Sequence, residues 1–464
     1  MKIWILTSGF GSGHSSAAKA LEEEFQSKGH TVVVSDIVQL LYPKTAKLIY
    51  PVFSRVICRH SWLYNTLNQF GRGAYHDPKT PFSLKKELVR IDPDMIVTTW
   101  SGCGRKLGQL NIPVHICITD VGVHTGWLYP YAESYWAATI EVSEQLANLG
   151  ISPAKIHIRG IPVRKEFYYL PEKTTMRKTK HLLIMGGGLG IIPWLDVLLQ
   201  GLADLSNVKI TVVVGKNQQL YQKLTQKYPD IQAVGFVNNI AHYLSQADFL
   251  ISKPGGISLF ESIYATTPYI AICPTYEHEL ENAAFIEKKE IGMVVHHCED
   301  SCRQIKELLA DEQRCCTYLA NMMQLKHDIE ENRKSFERVN LLITVVRILA
   351  MHSAPFWVYK SLGLSGVSPF EIIALQSTLY ISCAALPFPG GIGIAENSFL
   401  HYFNAVFPGS LLQSSMILSR GIGSYMTIAL SGSVLAAVFA LSLFHKKQKL
   451  CRKSFSEKII DQTD

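Results

Sequence analysis

The stretch ADFLISKPGGISLFES, residues 247 to 262, holds the residue types that grip a phosphate. Phe249 to Ser252 reads as a buried strand, Pro254, Gly255 and Gly256 as a turn, and a helix is expected to open at Ser258. Glycines let bare backbone N–H groups approach a ligand, and a helix N-terminus carries partial positive charge. Glu261 falls one turn into that helix, where a carboxylate can reach a ribose hydroxyl. The pattern is a grip for a nucleoside diphosphate.

Six other motifs carry candidate chemistry. GFGSGHSS, residues 9 to 16, closes a strand and opens a helix, with Gly11, Gly13, His14 and Ser15 at its tip. Its glycines run GxGxG and no Lys-Ser/Thr follows, so it is neither a dinucleotide fingerprint nor a P-loop. It suits an anionic lipid head group or a sugar hydroxyl; the bland reading is a tight turn with a solvent-facing His. ITDVGVHTGWLYP, residues 118 to 130, puts Asp120 at a strand end, with His124 close behind. A carboxylate there can take a proton from a hydroxyl, or can merely cap a turn. MGGGLGIIP repeats the strand–glycine–helix device at Gly187 and Gly188, and VVGKNQQL ends a strand at Asn217. VGFVNNIAHYLSQAD offers Phe236 and Val237 to a flat base, and PTYEHELENAAF offers Glu279 and Asn282 to sugar hydroxyls. Each of the last four also reads as an ordinary strand-end turn or helix face.

The elements that must position these residues alternate strand and helix. MKIWILTS, TVVVSDI, MIVTTW, VHICITD and SYWAA form one strand series, and HLLIMGG, VKITVVVG, IQAVGFV, ADFLISK, PYIAICP and GMVVHH a second. Such alternation predicts parallel sheets with crossover helices. Two consecutive series predict an α/β fold of two facing Rossmann-like lobes, with a cleft between their strand C-termini.

The chain has 464 residues, which predicts more than one domain. Its net charge of +7 is far below the basic bias of a nucleic-acid binder, so no nucleic-acid partner is expected. IWILT runs straight into glycines and reads as a first strand, not a signal-peptide core. The ten cysteines show no CxxC pair and no zinc spacing, which predicts thiols in a reducing compartment and no metal. Residues 43 to 82 mix aromatics with Arg55, Arg59 and Arg72, which suits a membrane interface or a helical excursion on its own lobe. From residue 340 the chain turns apolar. Residues 426 to 444 run without a charge, and 371 to 388 and 341 to 359 are further candidate membrane spans. Arg333, Lys334 and Arg338 before this region, and Lys446, Lys447 and Lys449 after it, predict two cytoplasmic flanks and an even number of crossings. Glu396 and Arg420 lie in apolar surroundings, so they are membrane-region candidates, as functional groups or as a structural ion pair.

GFGSGHSSAA, ITDVGVHTGW, IMGGGLG, GKNQQL, GFVNNI, SKPGGISLFES and ELENAAF stand in the order seen in monogalactosyldiacylglycerol synthases and processive diacylglycerol glucosyltransferases. Over about residues 1 to 310 the chain resembles that family, relatives of the peptidoglycan lipid-intermediate transferase with the two-lobed GT-B fold. The resemblance implies an acceptor lobe over 1–168 and a UDP-sugar lobe over 169–325. A linker over 326–339, a helical transmembrane region over 340–445 and a basic cytoplasmic tail over 446–464 are expected to follow. It implies Asp120 as catalytic base, with His14 beside it. Gly11, Gly13, His14, Ser15, His124 and Trp127 would line the acceptor side. Ser252, Pro254, Gly255, Gly256 and Ser258 would hold the diphosphate, and Glu261 the ribose. Gly187, Gly188 and Asn217 would border the donor, Phe236 and Val237 the uracil, and Glu279 and Asn282 the sugar. The family usually has Gln where this chain has His278.

The implied reaction is inverting transfer of a hexose from a UDP-hexose to diacylglycerol or another lipid acceptor, without a metal or other cofactor. Anionic membrane lipids are expected partners, and a multi-pass membrane location with cytoplasmic catalytic lobes is expected. The alternatives are UDP-N-acetylglucosamine transfer to a polyprenyl-linked acceptor, and a lipid transporter with a regulatory nucleotide-sugar domain. LPFPGGIGIAE with SRGIGSY resembles the end of the flippase-like region of lysylphosphatidylglycerol synthases. That resemblance implies a partial translocator or an anchor. Glucose against galactose, the number of sugars added and the oligomeric state are not read from the sequence.

Overall fold

A computed structural model describes residues 1–10, 13–46, 48–50, 80–187, 190, 192, 194–202, 204–205, 207–384 and 393–421. The chain divides into two compact units, Met1–Ser335 and Phe336–Asp464. Within the first unit, β1 (Lys2–Thr7), β2 (Thr31–Asp36), β3 (Met95–Thr98), β4 (Val114–Cys117), β5 (Ser134–Ala137) and β6 (Ile156–Ile158) form one parallel sheet, in the order β2-β1-β3-β4-β5-β6. A second parallel sheet holds β7 (Lys180–Met185), β8 (Val208–Val213), β9 (Gln232–Val234), β10 (Phe249–Ser252), β11 (Tyr269–Ile272) and β12 (Gly292–Val295), in the order β12-β11-β10-β7-β8-β9. Each sheet reverses direction beside its first strand, and that switch point is where α/β folds open a crevice.

The helices that cover these sheets are α1 (Gly13–Ser27), α2 (Ile37–Leu41), α3 (Phe82–Ile91), α4 (Ile140–Asn148), α5 (Leu195–Leu202), α6 (Gln218–Lys227), α7 (Ile240–Gln246), α8 (Gly256–Tyr264), α9 (Glu277–Lys288) and α10 (Ser301–Ala310). The strands are apolar on both faces because helices cover both. Along β1, Trp4 and Leu6 enter one core cluster and Ile3 and Ile5 another. Along β10, Phe249 and Ile251 face one way and Leu250 the other. The cluster that holds Trp4 and Leu6 also takes Leu250, Phe260 and Tyr264 from the second lobe, so the two lobes share apolar packing.

A linker joins the lobes between β6 and β7. Lys173 on this linker is held by three acceptors of the second lobe: the Leu244 carbonyl at 2.8 Å, the Ala247 carbonyl at 2.6 Å and the Thr267 hydroxyl. Burial pulls this ammonium down to about 7, against the opposing charge of Asp248. α11 (Glu312–Ser361) then brings Arg333 back to the first lobe, 3.3 Å from Glu24 and 4.7 Å over the Tyr168 ring.

The expectation that all cysteines are thiols is corrected at one pair. Cys273 follows β11, Cys298 follows β12, and the pairing of those strands brings the two together as a disulfide, Cα atoms 6.1 Å apart. Their separation of 25 residues resembles no sequence motif, so only the strand register reveals the pair. Cys103, Cys117, Cys302, Cys315 and Cys316 are free.

The second unit contains the end of α11, then α12 (Pro369–Ala384), α13 (Ile394–Tyr402) and α14 (Gly409–Arg420). Val358, Tyr359, Ile372, Phe399, Phe403 and Phe407 form its core. Glu396 and Arg420 make an ion pair, Nε to Oε1 3.0 Å, each side chain about one-fifth exposed. Among the described residues no helix is long and apolar enough to cross a membrane. This corrects the expected span at 341–359. Of the 371–388 stretch, the residues through Ala384 belong to α12, and 385–388 lie outside the described residues. The 341–359 stretch lies inside α11 and carries Arg347 and Pro355. The third span, 426–444, lies outside the described residues, as do 51–79 of the aromatic-basic segment and most of LPFPGGIGIAE.

Replacing Lys173 by Met takes the ammonium donor from the Ala247 carbonyl and the Thr267 hydroxyl, while the Leu244 carbonyl keeps the Thr267 hydroxyl at 2.9 Å. Lys173→Met is expected to lower unfolding stability by about 3 kcal/mol, read as a fall in Tm with an unchanged far-UV spectrum.

Candidate active site

The acceptor-side residues stand on three neighbouring strand ends. Leu6 of β1 pairs with Thr98 of β3, and Thr98 with Ile116 of β4. His14, in the first turn of α1, has Nδ1 3.0 Å from the Thr119 hydroxyl. The Thr99 hydroxyl donates to the His14 carbonyl at 3.1 Å and sits 2.9 Å from the Thr7 hydroxyl. Asp120 follows Thr119, so the structure brings His14 and Asp120 together as the sequence predicts. Burial lowers the His14 pKa below 6.5; the Asp120 charge opposes this and His278 adds to it. The imidazole is therefore neutral at neutral pH.

The donor lobe meets this cluster directly. α8 begins at Gly256, two residues before the expected Ser258, because Gly255 is extended (φ −84°, ψ 144°) and acts as the N-cap. A Cβ at Gly256 would lie 2.0 Å from the Thr119 carbonyl oxygen and 3.0 Å from Asp120 Oδ1. The positive end of α8 thus abuts the carboxylate of the other lobe. Asn282 of α9 bridges the same gap. Its Oδ1 accepts from the Val121 N–H at 3.2 Å, and its Nδ2 donates to the Pro254 carbonyl at 2.9 Å and to Asp120 Oδ1 at 3.5 Å.

The remaining predicted residues divide. The Ser252 hydroxyl donates to the Met185 carbonyl at 3.0 Å, so it ties β10 to β7. Ser258 lies in the first turn of α8, beside Gly255. Glu279 Oε2 accepts from the N–H groups of Thr275 (2.9 Å) and Tyr276 (3.3 Å), which shapes the loop entering α9. Asn217 caps α6 through the Leu220 N–H at 3.0 Å and donates to the Gly190 carbonyl at 3.3 Å, so it fixes the glycine loop after β7. Gly187 in that loop takes φ 68°. Phe236 is exposed under Lys216 Nζ at 5.6 Å, and Val237 packs on the core. Ser15 is exposed and donates to the Ser8 carbonyl at 3.3 Å. His124 Nδ1 accepts from the Gly126 N–H at 3.1 Å. Trp127 is a correction: it is buried in the first core cluster and presents no face to an acceptor. Gly11 and Gly188 lie outside the described residues.

Two basic residues were missing from the sequence reading. Arg164 on the interlobe linker pairs with Glu261, Nη2 to Oε1 3.2 Å, and donates to the Asn238 carbonyl. Burial raises the Glu261 pKa and Arg164 holds it back. No motif marked Arg164, because the linker meets α8 only in three dimensions. Lys253 stands inside SKPGG, with Nζ 5.5 Å from the Tyr276 ring, and that ring stacks on His278 at 5.8 Å. A cation within the phosphate motif was the signal available for it.

Two parallel-sheet lobes, a carboxylate on one and a glycine-opened helix N-terminus on the other, define the class: a GT-B type glycosyltransferase. Residues 14–163 match the monogalactosyldiacylglycerol (MGDG) synthase family, and residues 181–339 match the glycosyltransferase family 28 C-terminal domain. A processive diacylglycerol beta-glucosyltransferase of Bacillus pumilus is 31% identical over 369 residues, 74% of this chain and 96% of that one. Its counterpart in Bacillus licheniformis is 29% identical over 347 residues, 70% of this chain and 90% of that one. Among solved structures, Acinetobacter baumannii MurG has a TM-score of 0.46 at 16% identity, covering 72% of this chain and 99% of that one. The chain belongs to the glycosyltransferase family of the processive diacylglycerol beta-glucosyltransferases.

Arg164→Gln leaves Glu261 buried without its cation. The KM for the sugar-nucleotide donor is expected to rise roughly tenfold or more, read by initial rates at saturating acceptor. The depressed His14 pKa places any acid limb contributed by this imidazole below pH 6.5. A kcat/KM profile flat from pH 6.5 to 8 with respect to His14, unchanged in shape there by His14→Asn, is the expected result.

Proposed function

We propose that the protein transfers a hexose from a UDP-sugar to the hydroxyl of diacylglycerol, with inversion at the anomeric carbon, at a membrane face. The observation that carries this reading is Asp120 standing against the N-terminus of α8. A base and a leaving-group site then flank one small gap. In this reading Asp120 takes the proton from the acceptor hydroxyl. The oxygen attacks the anomeric carbon, a new C–O bond forms, and the bond from that carbon to the diphosphate breaks with its electron pair on UDP. Backbone N–H groups at Gly256 and beyond, with the helix dipole, stabilise the charge that develops there. Lys253 adds a full positive charge beside that turn. Glu261, fixed by Arg164, receives the ribose, and Asn282 reads the sugar while holding the two lobes in register.

The relatives named above supply the acceptor and the sugar class, as diacylglycerol and glucose. Membrane attachment belongs to the same reading. Leu341, Leu342, Val345, Val346, Ile348 and Leu349 are exposed on the second half of α11, beside Arg338 and Arg347. An apolar stripe with basic neighbours suits a bilayer of anionic lipid. The uncharged run 426–444 and the flippase-like resemblance support an anchoring role for the C-terminal region.

The test is label transfer in detergent–lipid micelles from UDP-glucose, UDP-galactose or UDP-N-acetylglucosamine to diacylglycerol. A β-linked glycosyldiacylglycerol from UDP-glucose, reduced at least about a hundredfold by Asp120→Asn, is the expected result. Transfer only to a polyprenyl-linked acceptor would overturn the acceptor assignment.

A further inference from the structure

Lys253 stands where the donor-lobe sheet opens. It follows Ser252, the last residue of β10, and Ser252 pairs with Met185 at the end of β7. β10 and β7 are the neighbours at which the strand order reverses, with β11 and β12 on one side and β8 and β9 on the other. Ligands of open α/β sheets bind outside the strand C-termini at such a switch point. Three residues beyond Lys253, Gly256 opens α8.

The backbone here is fixed and the side chain is not. The Lys253 carbonyl accepts from the Tyr269 hydroxyl at 2.6 Å and from the Gly255 N–H at 2.8 Å. The side chain is half-buried, and its ammonium lies 5.5 Å from the centre of the Tyr276 ring. Among the described residues no carboxylate pairs with it. The Glu279 carboxylate, three residues beyond Tyr276, is occupied by the N–H groups of Thr275 and Tyr276. Other cations at this lobe are matched, Arg164 by Glu261 and Lys173 by carbonyls. An ammonium partly stripped of water and given no anion is ready to take one.

We propose that Lys253 is a catalytic residue: its ammonium leaves the Tyr276 ring to bind the sugar-side phosphate of the nucleoside diphosphate donor. The inference rests on the donor reading above and deepens it by assigning the side chain that takes that phosphate. Asn282 touches both Asp120 Oδ1, at 3.5 Å, and the carbonyl of Pro254, next to Lys253, at 2.9 Å. Lys253 is thus on the side of the turn where the base stands, while Glu261, which receives the ribose, lies deeper along α8. The phosphate bonded to the sugar is therefore the one presented to Lys253. A flexible four-carbon stem lets the ammonium swing while the backbone stays fixed. A cation–π contact at a half-exposed site is weak beside an ammonium–phosphate bond. As the bond to the anomeric carbon breaks, its electron pair stays on the phosphate oxygen of UDP, and Lys253 holds that charge without giving up a proton.

The experiment measures binding of uridine, UMP and UDP to the full chain by calorimetry, with transfer from UDP-glucose to diacylglycerol measured beside it. The variants are Lys253→Met, Lys253→Arg and Tyr276→Leu. Wild type is expected to bind UDP more tightly than UMP or uridine. Lys253→Met is expected to lose roughly thirtyfold in UDP affinity and about a hundredfold in kcat, with uridine and UMP affinities little changed. Lys253→Arg is expected to recover most of the UDP affinity. Tyr276→Leu is expected to keep the preference for UDP, because the ring is only the resting place of the ammonium. Four results would each overturn the assignment while leaving the transferase reading intact: no loss of UDP affinity in Lys253→Met, a loss shared equally by all three ligands, a loss for UMP as large as that for UDP, or the same UDP loss in Tyr276→Leu. Wild type binding UDP no more tightly than uridine would overturn the donor reading as well.

Discussion

The site depends on one close approach: the backbone of Gly256 against the Thr119 carbonyl and the Asp120 carboxylate. A methyl group at Gly256 would stand 2.0 Å from that carbonyl oxygen, a distance no Cβ occupies. The missing side chain allows a helix N-terminus from one lobe to face the strand end of the other. Asn282 then closes the gap with bonds to Val121, Pro254 and Asp120. Chemistry at this place requires a proton acceptor and a leaving-group site a few ångströms apart, on separate lobes. Glycine is the residue that permits it.

Around that contact the buried polar groups are matched in pairs across elements distant in sequence. Glu261 on α8 finds Arg164 on the linker, and Lys173 on the linker finds carbonyls at the end of α7. Each pairing ties the linker to the donor lobe. A buried carboxylate or ammonium without such a partner is strongly destabilising, so these pairs fix the linker's path as well as the site. A shared apolar cluster that includes Trp4 and Tyr264 packs the lobes together. The polar bridges set its register.

Much of this was legible in the sequence because it is local. Alternating apolar strands and glycine turns announce two parallel sheets, and Asp120, His14 and Gly256 each sit at a strand end or helix start that pattern locates. What was not legible is long-range. Trp127 sits inside the acceptor motif, yet its indole is buried in the core. Ser252 sits inside the phosphate motif, yet its hydroxyl is occupied by the neighbouring strand. Arg164 carries no motif, and Cys273 and Cys298 meet only through the pairing of β11 with β12. The expected membrane span at 341–359 has a different cause. Composition recorded the apolar residues of 341–359, while the placement of Arg347 and Pro355 within one long helix was not weighed.

On the proposed reading, a bare backbone at residue 256 lets the N-terminus of α8 reach the Asp120 carboxylate. The direct measurement is the kinetics of Gly256→Ala, set beside its affinity for UDP. The account predicts that kcat falls by roughly a hundredfold or more, because a displacement near an ångström separates base from leaving group. It also predicts that UDP affinity falls much less than kcat, since Arg164 still pairs with Glu261 and the loop at Gly187 lies off α8. A Gly256→Ala enzyme with wild-type kcat would contradict the account, because the two lobes would then not need this contact to react.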